Sequence, residues 1–330
     1  MKVLHIGKRG VMQRYSEPDS LLYRMEVADF YMGEPVETYL EAAADADFIV
    51  ADAIAPIPGE LIRSMPNLKL IHSEGVAYNR IDLEAAREHG VYVCNCQGRN
   101  AAAVAEQAVL LMSGMLKDVV ENDRAVREGR QIQVKEGYMQ RGDLMELADC
   151  RIGLVGFGDI ARATAQLLKA YRVRDLVYCK RTRLSAEEEA QFQVKYLPME
   201  ELLAASDIVS LHLPVKEETR HIADAAFFSH MKEGSFFVNT SRGELVDDTA
   251  LIQALESGKL QMAALDTLDL EPVQPDHPLL NVPEEISRRL LFSPHIGGIT
   301  ASSFRRGYAF IWEDIEAVIH GKKPRRTVNE

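Results

Sequence analysis

A glycine-rich turn between an apolar strand and a helix restricts the fold of this chain more than any other feature of its sequence. The turn lies in the segment Gly153-Leu154-Val155-Gly156-Phe157-Gly158-Asp159-Ile160-Ala161. Glycines spaced in this way allow a tight turn and let the backbone approach a pyrophosphate, whose charge the helix N-terminus stabilises. Such a match is weak by itself, but here a strand precedes it, and a helix and a second strand follow it. The pattern predicts a dinucleotide site at Gly156, Phe157, Gly158, Asp159 and Ile160.

Around this turn, short apolar runs alternate with helix-like patterns, which predicts an α/β fold of two doubly wound parallel-sheet domains. A chain of 330 residues is long enough for two domains. We expect strands at 2–6, 48–50, 68–72, 91–94, 152–155, 176–179, 208–211, 236–239, 262–265 and 290–293. We also expect one long helix over 101 to about 129, an irregular polar arm over 130–149, and a helical tail over 300–319.

The simplest topology returns the helical tail, 300–319, to the first domain. We therefore predict a discontinuous domain, 1–99 plus 300–330, with a flavodoxin-like sheet. The second predicted domain, 100–299, is a Rossmann fold that binds the dinucleotide.

Composition excludes several classes of partner. The formal net charge of −12 argues against nucleic acid or an anionic membrane as the main partner. The N-terminus does not resemble a signal peptide, and no apolar run approaches the roughly 18 residues of a membrane span. The four cysteines lack the paired spacing of a zinc site, so we expect reduced, buried thiols and no metal. A cytoplasmic enzyme fits these observations.

The end of the second strand after the turn indicates which dinucleotide binds. An NAD site places an acid there, and residue counting would nominate Asp175, but Asp175 precedes this strand. The strand is instead followed by Lys180-Arg181-Thr182-Arg183. The three cations and the hydroxyl of this segment suit the extra phosphate of NADP(H), with Lys180, Arg181 and Thr182 as the expected contacts, although a solvated basic loop is an alternative. We predict that NADP(H) is favoured and that NAD(H) is possible.

Three later strands each end in polar residues, at the edge where open α/β sheets bind ligands. Arg242 follows the strand at 236–239 and can bind a carboxylate through two hydrogen bonds. The next strand is followed by three acids, Asp266, Asp269 and Glu271, among which periodicity does not choose. His295 stands after a proline and shortly before a Gly-Gly pair, and histidine is the side-chain type suited to reversible proton transfer to a hydroxyl near neutral pH. His212 and His277 are rivals for which structural roles are expected.

In their order along the chain, these motifs resemble the D-isomer-specific 2-hydroxyacid dehydrogenases. The resemblance rests on Gly156-x-Gly158-x-x-Ala161, Asn239-x-Ser241-Arg242-Gly243, Leu265-Asp266 with Glu271-Pro272, Pro294-His295-Ile296-Gly297, and the loop that begins at Gly75. It implies Arg242, Glu271 and His295 as catalytic residues, with Glu271 orienting His295 and favouring its protonated form. It also implies a substrate-carboxylate loop at Gly75, Val76 and Ala77. The further cofactor contacts that it implies are His212, Pro214, Thr219, Thr240, Ser241, Arg242, Asp266, His295 and Gly297, with Asp266 on the nicotinamide side.

The resemblance further implies a homodimer, with the helix from residue 101 and the arm over 130–149 as interface candidates. The expected reaction transfers hydride from NAD(P)H to C2 of a small 2-keto acid and yields a D-2-hydroxy acid. The basic segment at Lys180 resembles that of glyoxylate and hydroxypyruvate reductases. Ala77 and Asn79 depart from the usual loop, and the segment 51–56 lacks a cation, which argues against a phosphorylated substrate.

Two other interpretations stay open. Corepressors that resemble these enzymes use the same fold as dinucleotide-sensing scaffolds, usually with extra tails. Formate and phosphite dehydrogenases share the fold, but they place Gln where Glu271 stands and Lys where Val76 stands, respectively.

Overall fold

The computed structural model describes residues 1–329. The chain forms two compact units, one of residues 1–100 together with the chain from residue 299 onward, the other of residues 101–298. Among residues 1–329, no helix combines the length and the apolar composition needed to cross a membrane.

The sheet of the first unit, over the described residues, has five parallel strands in the order β2-β1-β3-β4-β5, as in flavodoxin-like folds. The strands are β1 Lys2–Ile6, β2 Glu26–Phe30, β3 Phe48–Ala51, β4 Leu70–Ser73 and β5 Tyr92–Cys94. The helices that precede residue 100 are α1 Val11–Tyr15, α2 Val36–Ala43, α3 Gly59–Arg63 and α4 Leu83–Glu88. Sequence analysis missed β2, because this edge strand is only half-buried and carries two acids, Glu26 and Asp29, among its five positions.

In the second unit, the described residues form seven parallel strands in the order β12-β11-β10-β9-β6-β7-β8. The strands are β6 Arg151–Val155, β7 Asp175–Cys179, β8 Lys195–Tyr196, β9 Ile208–Leu211, β10 Ser235–Asn239, β11 Leu260–Leu265 and β12 Leu290–Phe292. The helices are α5 Ala101–Leu116, α6 Val119–Arg127, α7 Gln131–Arg141, α8 Asp159–Ala170, α9 Ala186–Phe192, α10 Met199–Ala205, α11 Ala225–His230, α12 Asp248–Glu256 and α13 Glu284–Ser287. The strand order reverses at β6, and such a switch point opens a crevice for ligands at the carboxyl ends of the strands.

The helical tail forms α14, Ala301–Ile319, and belongs to the first unit. The Thr300 side chain caps it by accepting a hydrogen bond from the Ser303 amide. Tyr308, Ile311, Trp312 and Ile315 are buried with Val3, Phe48, Val50 and Leu70 in one core cluster against the sheet. Apolar residues at this helical spacing explain why the tail was predictable from sequence.

The prediction of one helix over 101–129 is wrong. Helix α5 ends at Leu116, and α6 begins after Asp118, whose backbone is left-handed with a φ of 43°. The arm predicted as irregular contains α7, a helix without a buried residue. Because α7 buries none of its side chains, its sequence carries no apolar periodicity by which a helix could be recognised.

Candidate active site

The turn between β6 and α8 has the geometry that its glycines predict. Gly156 has a φ of 92°, and its amide donates to the carbonyl of Cys179, at the end of the neighbouring strand β7. A Cβ atom at this position would overlap the carbonyl oxygen of His212. Gly158 precedes α8, and Asp159 and Ile160 form its first turn. The backbone therefore approaches the crevice closely, as a bound pyrophosphate requires.

Beside the turn lies a cavity of about 710 Å³, within the usual range for small-molecule sites. The predicted cofactor residues that line it are Gly156, Phe157, Gly158, Lys180, Arg181, Thr182, His212, Pro214 and Thr219. A glycine at position 156 without room for a side chain, a helix N-terminus and a cavity at the switch point fit a dinucleotide. The structure thus brings together most of the cofactor site that the sequence predicted.

The cations after β7 divide into two groups. Lys180 and Arg181 are exposed and line the cavity. Arg183, which the sequence suggested as a third cation, instead forms two hydrogen bonds of 2.8 and 2.9 Å to Glu189. The Arg183 guanidinium, with the Tyr178 hydroxyl, lowers the pKa of Glu189 to about 2. Arg183 is therefore occupied within the protein, and the cations that line the cavity are Lys180 and Arg181, at the end of β7, and Lys216.

Asp175 lies at the other end of β7, as its position in the sequence suggested. It is the first residue of the strand and forms an ion pair of 2.7 Å with Arg151. Because a ribose binds at the carboxyl end of the strand, Asp175 stands at the wrong end to contact one.

His212 lines the cavity with an imidazole whose two ring nitrogens are buried and have no hydrogen-bond partner within residues 1–329. Burial lowers the pKa of His212 to about 4, so the ring is neutral at physiological pH. Its backbone amide donates to the carbonyl of Val155 at 2.8 Å. A neutral His212 offers hydrogen bonds but no charge to a ligand in this cavity.

The segment after β10 holds Arg242 by a compact hydrogen-bond pattern. The Asn239 side chain donates to the Arg242 carbonyl at 2.8 Å and accepts from the Ser241 amide at 3.0 Å. The Ser241 hydroxyl donates to the carbonyl of Leu211 at 2.8 Å. Arg242 Nη1 in turn donates to the Ser241 carbonyl, and the Arg242 side chain is exposed. An arginine on a fixed backbone of this kind is suited to binding an anionic substrate. Thr240, between these residues, is buried.

His295 and Glu271 are joined by a hydrogen bond, with 2.6 Å between Nδ1 and Oε2. The second oxygen of Glu271 accepts from the Leu268 amide at 3.3 Å. Asp269, the acid that the sequence could not separate from Glu271, accepts instead from the Leu270 amide. The His295 and Glu271 side chains are 41% and 36% exposed and line a cavity of about 460 Å³. The histidine is thus oriented by a carboxylate and accessible to a ligand.

Gly243 brings these segments together. A Cβ atom there would overlap the backbone of Leu268 and Asp269, so the Arg242 segment packs directly against the Glu271 segment. Arg242, Glu271 and His295 follow β10, β11 and β12, three neighbouring strands whose carboxyl ends meet at one edge of the sheet. Among the described residues, no group of three or more His, Cys, Asp or Glu side chains could hold a metal ion.

Known proteins resemble this chain in sequence and in fold. The profile of the D-isomer specific 2-hydroxyacid dehydrogenase NAD binding domain matches residues 109–297. The chain belongs to the D-isomer-specific 2-hydroxyacid dehydrogenase family. The predicted family and fold class are confirmed, and this 2-hydroxyacid dehydrogenase is an oxidoreductase that acts with a nicotinamide dinucleotide.

Several relatives cover nearly the whole dehydrogenase. The glyoxylate reductase of Aeropyrum pernix is 34% identical over 313 residues, which span 94% of this chain and 91% of that one. The hydroxypyruvate reductase of Thermotoga maritima is 33% identical and covers 79% of this chain and 81% of its own. The apo structure of D-mandelate dehydrogenase from Rhodotorula graminis superposes with a TM-score of 0.83 at 26% identity, over 100% of this chain and 97% of that one.

In this dehydrogenase, Asp266 has a structural task that the sequence did not indicate. It is 2% exposed, and its carboxylate accepts hydrogen bonds from the amides of Ile296 and Gly297, at 3.1 and 3.0 Å, and from the Ser293 hydroxyl. Ser293 in turn accepts from Gln107 Nε2 at 2.8 Å. Asp266 therefore holds the backbone on both sides of His295.

Sequence reasoning missed Ser293 and Gln107. Ser293 stands two positions before His295, so its place beside a proposed catalytic residue was the available signal. Gln107 lies on α5, 186 positions from Ser293, and no local pattern links the two. Such long-range pairs become visible only after the chain has folded.

The predicted substrate loop lies in the first unit, after β4. The Gly75 amide donates to the Ser73 hydroxyl, which donates to the Ala77 carbonyl at 2.6 Å. The Asn95 side chain donates to the Val76 carbonyl at 2.7 Å, and the Val76 side chain is exposed. The loop is thus a closed turn whose backbone is held from both sides.

Proposed function

We propose that this dehydrogenase reduces small 2-keto acids to D-2-hydroxy acids, with glyoxylate and hydroxypyruvate as the first candidate substrates. The relatives named above supply the substrate class. The single observation that supports the chemistry is the His295–Glu271 pair beside Arg242 at one sheet edge. A histidine held by a carboxylate at Nδ1 is suited to exchange a proton through its other ring nitrogen.

In the proposed reaction, Arg242 binds the substrate carboxylate and the amides of the loop Gly75, Val76 and Ala77 assist it. His295 donates its Nε2 proton to the keto oxygen, which becomes the product hydroxyl. Glu271 keeps the ring oriented and balances the charge of the imidazolium before the transfer. The turn at Gly156 and Gly158 would hold the dinucleotide, which would supply the hydride for C2. Thr240, Ser241, Asp266 and Gly297, four predicted cofactor contacts outside the 710 Å³ cavity, would surround the nicotinamide end.

Initial rates with NADPH and with NADH over a panel of 2-keto acids test this proposal. We expect turnover of glyoxylate, hydroxypyruvate or a close analogue. No turnover on any 2-keto acid, with intact dinucleotide binding, would contradict an enzymatic role and favour the corepressor-like scaffold.

We further propose that the enzyme prefers NADP(H) to NAD(H). The support is the pair of exposed cations, Lys180 and Arg181, on the cavity wall, where an acid would repel a 2′-phosphate. We expect Arg181→Asp to lower kcat/KM for NADPH by at least about tenfold, or about 1.4 kcal/mol, with little change for NADH. Arg183→Met is the matched control, because Glu189 already binds Arg183. A wild-type preference for NADH of more than about tenfold would contradict the assignment.

A homodimer in the cytoplasm remains a prediction. Helices α6 and α7 expose Val120, Val126, Ile132 and Met139, each more than half accessible, which favours this arm as an interface. Sedimentation of the wild type and of Met139→Glu tests it, since a dimer through this arm would dissociate in the variant.

A further inference from the structure

His277 is a buried histidine of the second unit to which the proposed reaction gives no role. It is 6% exposed, and it follows a surface segment, residues 272–276, of which all but Val273 are exposed. The ring has a partner on each side, because Nδ1 accepts from the Leu279 amide at 3.3 Å and Nε2 lies 3.4 Å from Asp248 Oδ2. Since Nδ1 is an acceptor, the neutral ring carries its proton on Nε2, on the side of Asp248.

Both partners of the His277 ring belong to the packed part of the second unit. Leu279 is buried with Leu251 and Leu255 of α12 in one core cluster. Asp248 is the first residue of the same helix. The ring therefore links the end of an exposed segment to α12, which packing holds in place.

Hydrogen bonds continue from His277 back to Glu271. The His277 amide donates to the Gln274 carbonyl at 3.1 Å, and Gln274 Nε2 donates to the carbonyl of Pro272, the residue after Glu271, at 2.9 Å. On the other side, the Leu268 amide donates to Glu271 Oε1. A segment that buries few of its side chains opens easily unless its ends are held. The position of Glu271 therefore depends on Leu268 at one end of the segment and on His277 at the other.

We propose that His277, held by Asp248 and Leu279, is a positioning residue for Glu271. The inference rests on the proposed function, in which Glu271 orients His295 and favours its protonated form. A displacement of about 1 Å in a group that orients a reacting side chain is enough to lower the rate markedly. Without His277, Glu271 would spend less time beside His295, and the protonated form would be less favoured.

Substitution of His277 tests the proposal. His277→Phe keeps a buried aromatic ring but removes both ring contacts, and we expect kcat to fall about tenfold or more, with KM for the dinucleotide little changed. The pH above which kcat/KM falls should also move to lower values, because the carboxylate beside His295 is less often in place. His277→Asn should recover part of both effects, since its side-chain oxygen can accept from the Leu279 amide in place of Nδ1.

Asp207→Asn is the matched control. Asp207 is also buried in the second unit, but it precedes β9, at the other end of the strands, where it pairs with Arg174 at 2.6 Å. This variant should lose stability without any change in the pH profile. An unchanged kcat and pH profile in His277→Phe, or an equal change in Asp207→Asn, would overturn the proposal. If His277→Phe does not fold, Asp248→Ala replaces it, because it removes one ring contact and should produce smaller changes in the same direction.

A wild type that reduces no 2-keto acid would overturn the proposed function and leave the role of His277 to be decided by amide hydrogen exchange. In His277→Phe, or in Asp248→Ala, we expect residues 268–276 to exchange at least about tenfold faster than in the wild type, because local opening no longer breaks the His277 contacts. Asp207→Asn should leave exchange in this segment near the wild-type rate. Equal exchange in the wild type and the His277 variant would reject the positioning role.

Discussion

The carboxylate of Asp266 accepts three hydrogen bonds from the segment that carries His295, one from the Ser293 hydroxyl and two from backbone amides. His295 itself has a φ of 55°, a left-handed conformation that a non-glycine residue adopts only when its surroundings hold it there. The orientation of the proposed proton donor therefore depends on a buried acid and on the groups that satisfy it.

Replacing Ser293 tests this dependence. In Ser293→Ala the half-buried amide of Gln107 loses its acceptor and Asp266 loses a donor, at a cost of about 1–3 kcal/mol in the free energy of unfolding. We expect kcat to fall about tenfold or more, a loss of about 1.4 kcal/mol in transition-state stabilisation, with KM for the dinucleotide little changed. Steady-state kinetics measure the change in kcat, and denaturant titration measures the change in the free energy of unfolding. Ser257→Ala is the control, because the Ser257 hydroxyl also donates a hydrogen bond, at the end of α12 and away from this network. An unchanged kcat in both variants would show that Ser293 does not position His295.

His295 carries a prediction of its own. His295→Ala should reduce turnover by about 10² to 10⁴-fold, the usual contribution of a general acid, while NADPH still binds with near wild-type affinity. Single-turnover rates and dinucleotide fluorescence titration separate the two effects. His320→Ala, a change at an exposed histidine after α14, should alter neither. Substantial activity in His295→Ala would show that another group donates the proton.

At the scale of elements, the β6–α8 turn is the part that tolerates least change. Gly156 combines a left-handed backbone with direct contact to the His212 carbonyl, so both conformation and space require glycine. Gly234 offers a contrast, because its φ is 68° but nothing lies within 4 Å of the place that a Cβ atom would take. A comparison of the two glycines therefore separates the cost of a left-handed backbone from the cost of a steric overlap.

Alanine substitutions at Gly156 and Gly234 measure the contributions of backbone conformation and of steric contact. Gly234→Ala should cost about 1 kcal/mol of stability, the usual penalty of a left-handed non-glycine residue, without affecting dinucleotide affinity. Gly156→Ala should destabilise the protein further and weaken NADPH binding at least about tenfold, because β6 and the His212 segment must separate. Thermal unfolding and binding titrations of both variants supply the comparison. Equal behaviour of the two variants would show that contact with the His212 carbonyl adds nothing to the requirement for glycine.

At the scale of the whole molecule, the first unit encloses an ionisable group that links its stability to pH. His5 is fully buried, with Nδ1 2.6 Å from Asp29 and Nε2 3.1 Å from Glu74. Burial by itself lowers the pKa of His5, but the hydrogen bonds and charges of Glu74 and Asp29 outweigh it, and the pKa is raised above 6.5. The protonated histidine is therefore favoured in the folded state.

The sign of the pH dependence follows from linkage. A group whose pKa is raised on folding stabilises the fold fully below its unfolded pKa, near 6.5, and this stabilisation is lost as pH rises through the folded value. We expect the stability difference between the wild type and His5→Gln to be largest at about pH 6 and to shrink at alkaline pH. Denaturant titrations over this range measure it, with His320→Gln as the control. A difference that is constant with pH would mean that folding leaves the pKa of His5 unchanged, and a difference that grows as pH rises would mean that folding lowers it.

Much of the architecture was predictable from particular segments. The strands at 2–6 and 208–211 have the predicted bounds, and other predicted strands differ from the observed ones by a residue or two, because continuous apolar runs mark buried parallel strands. The edge strand β2, the break at Asp118 and helix α7 were not predicted. Each of these lies at a surface where few apolar side chains are buried, so the local sequence carries little signal.

By itself, the sequence determined the two doubly wound sheets, the dinucleotide turn at Gly156 and the motifs around Arg242, Glu271 and His295. It could do so because glycine spacing, apolar periodicity and strand-end position are local properties. Periodicity left Glu271 and Asp269 open, and the family resemblance implied Glu271, which the structure places 2.6 Å from His295. Tertiary structure alone decided that Glu189 binds Arg183 and that Gln107, Ser293 and Asp266 form one network. These outcomes depend on where side chains lie in space, in the network between residues that are 27 and 186 positions apart, and such distances exist only after folding. The turn at Gly156 depends on both sequence and tertiary structure. Its glycines identify it in the sequence, and the position of the His212 carbonyl explains why no larger residue fits there.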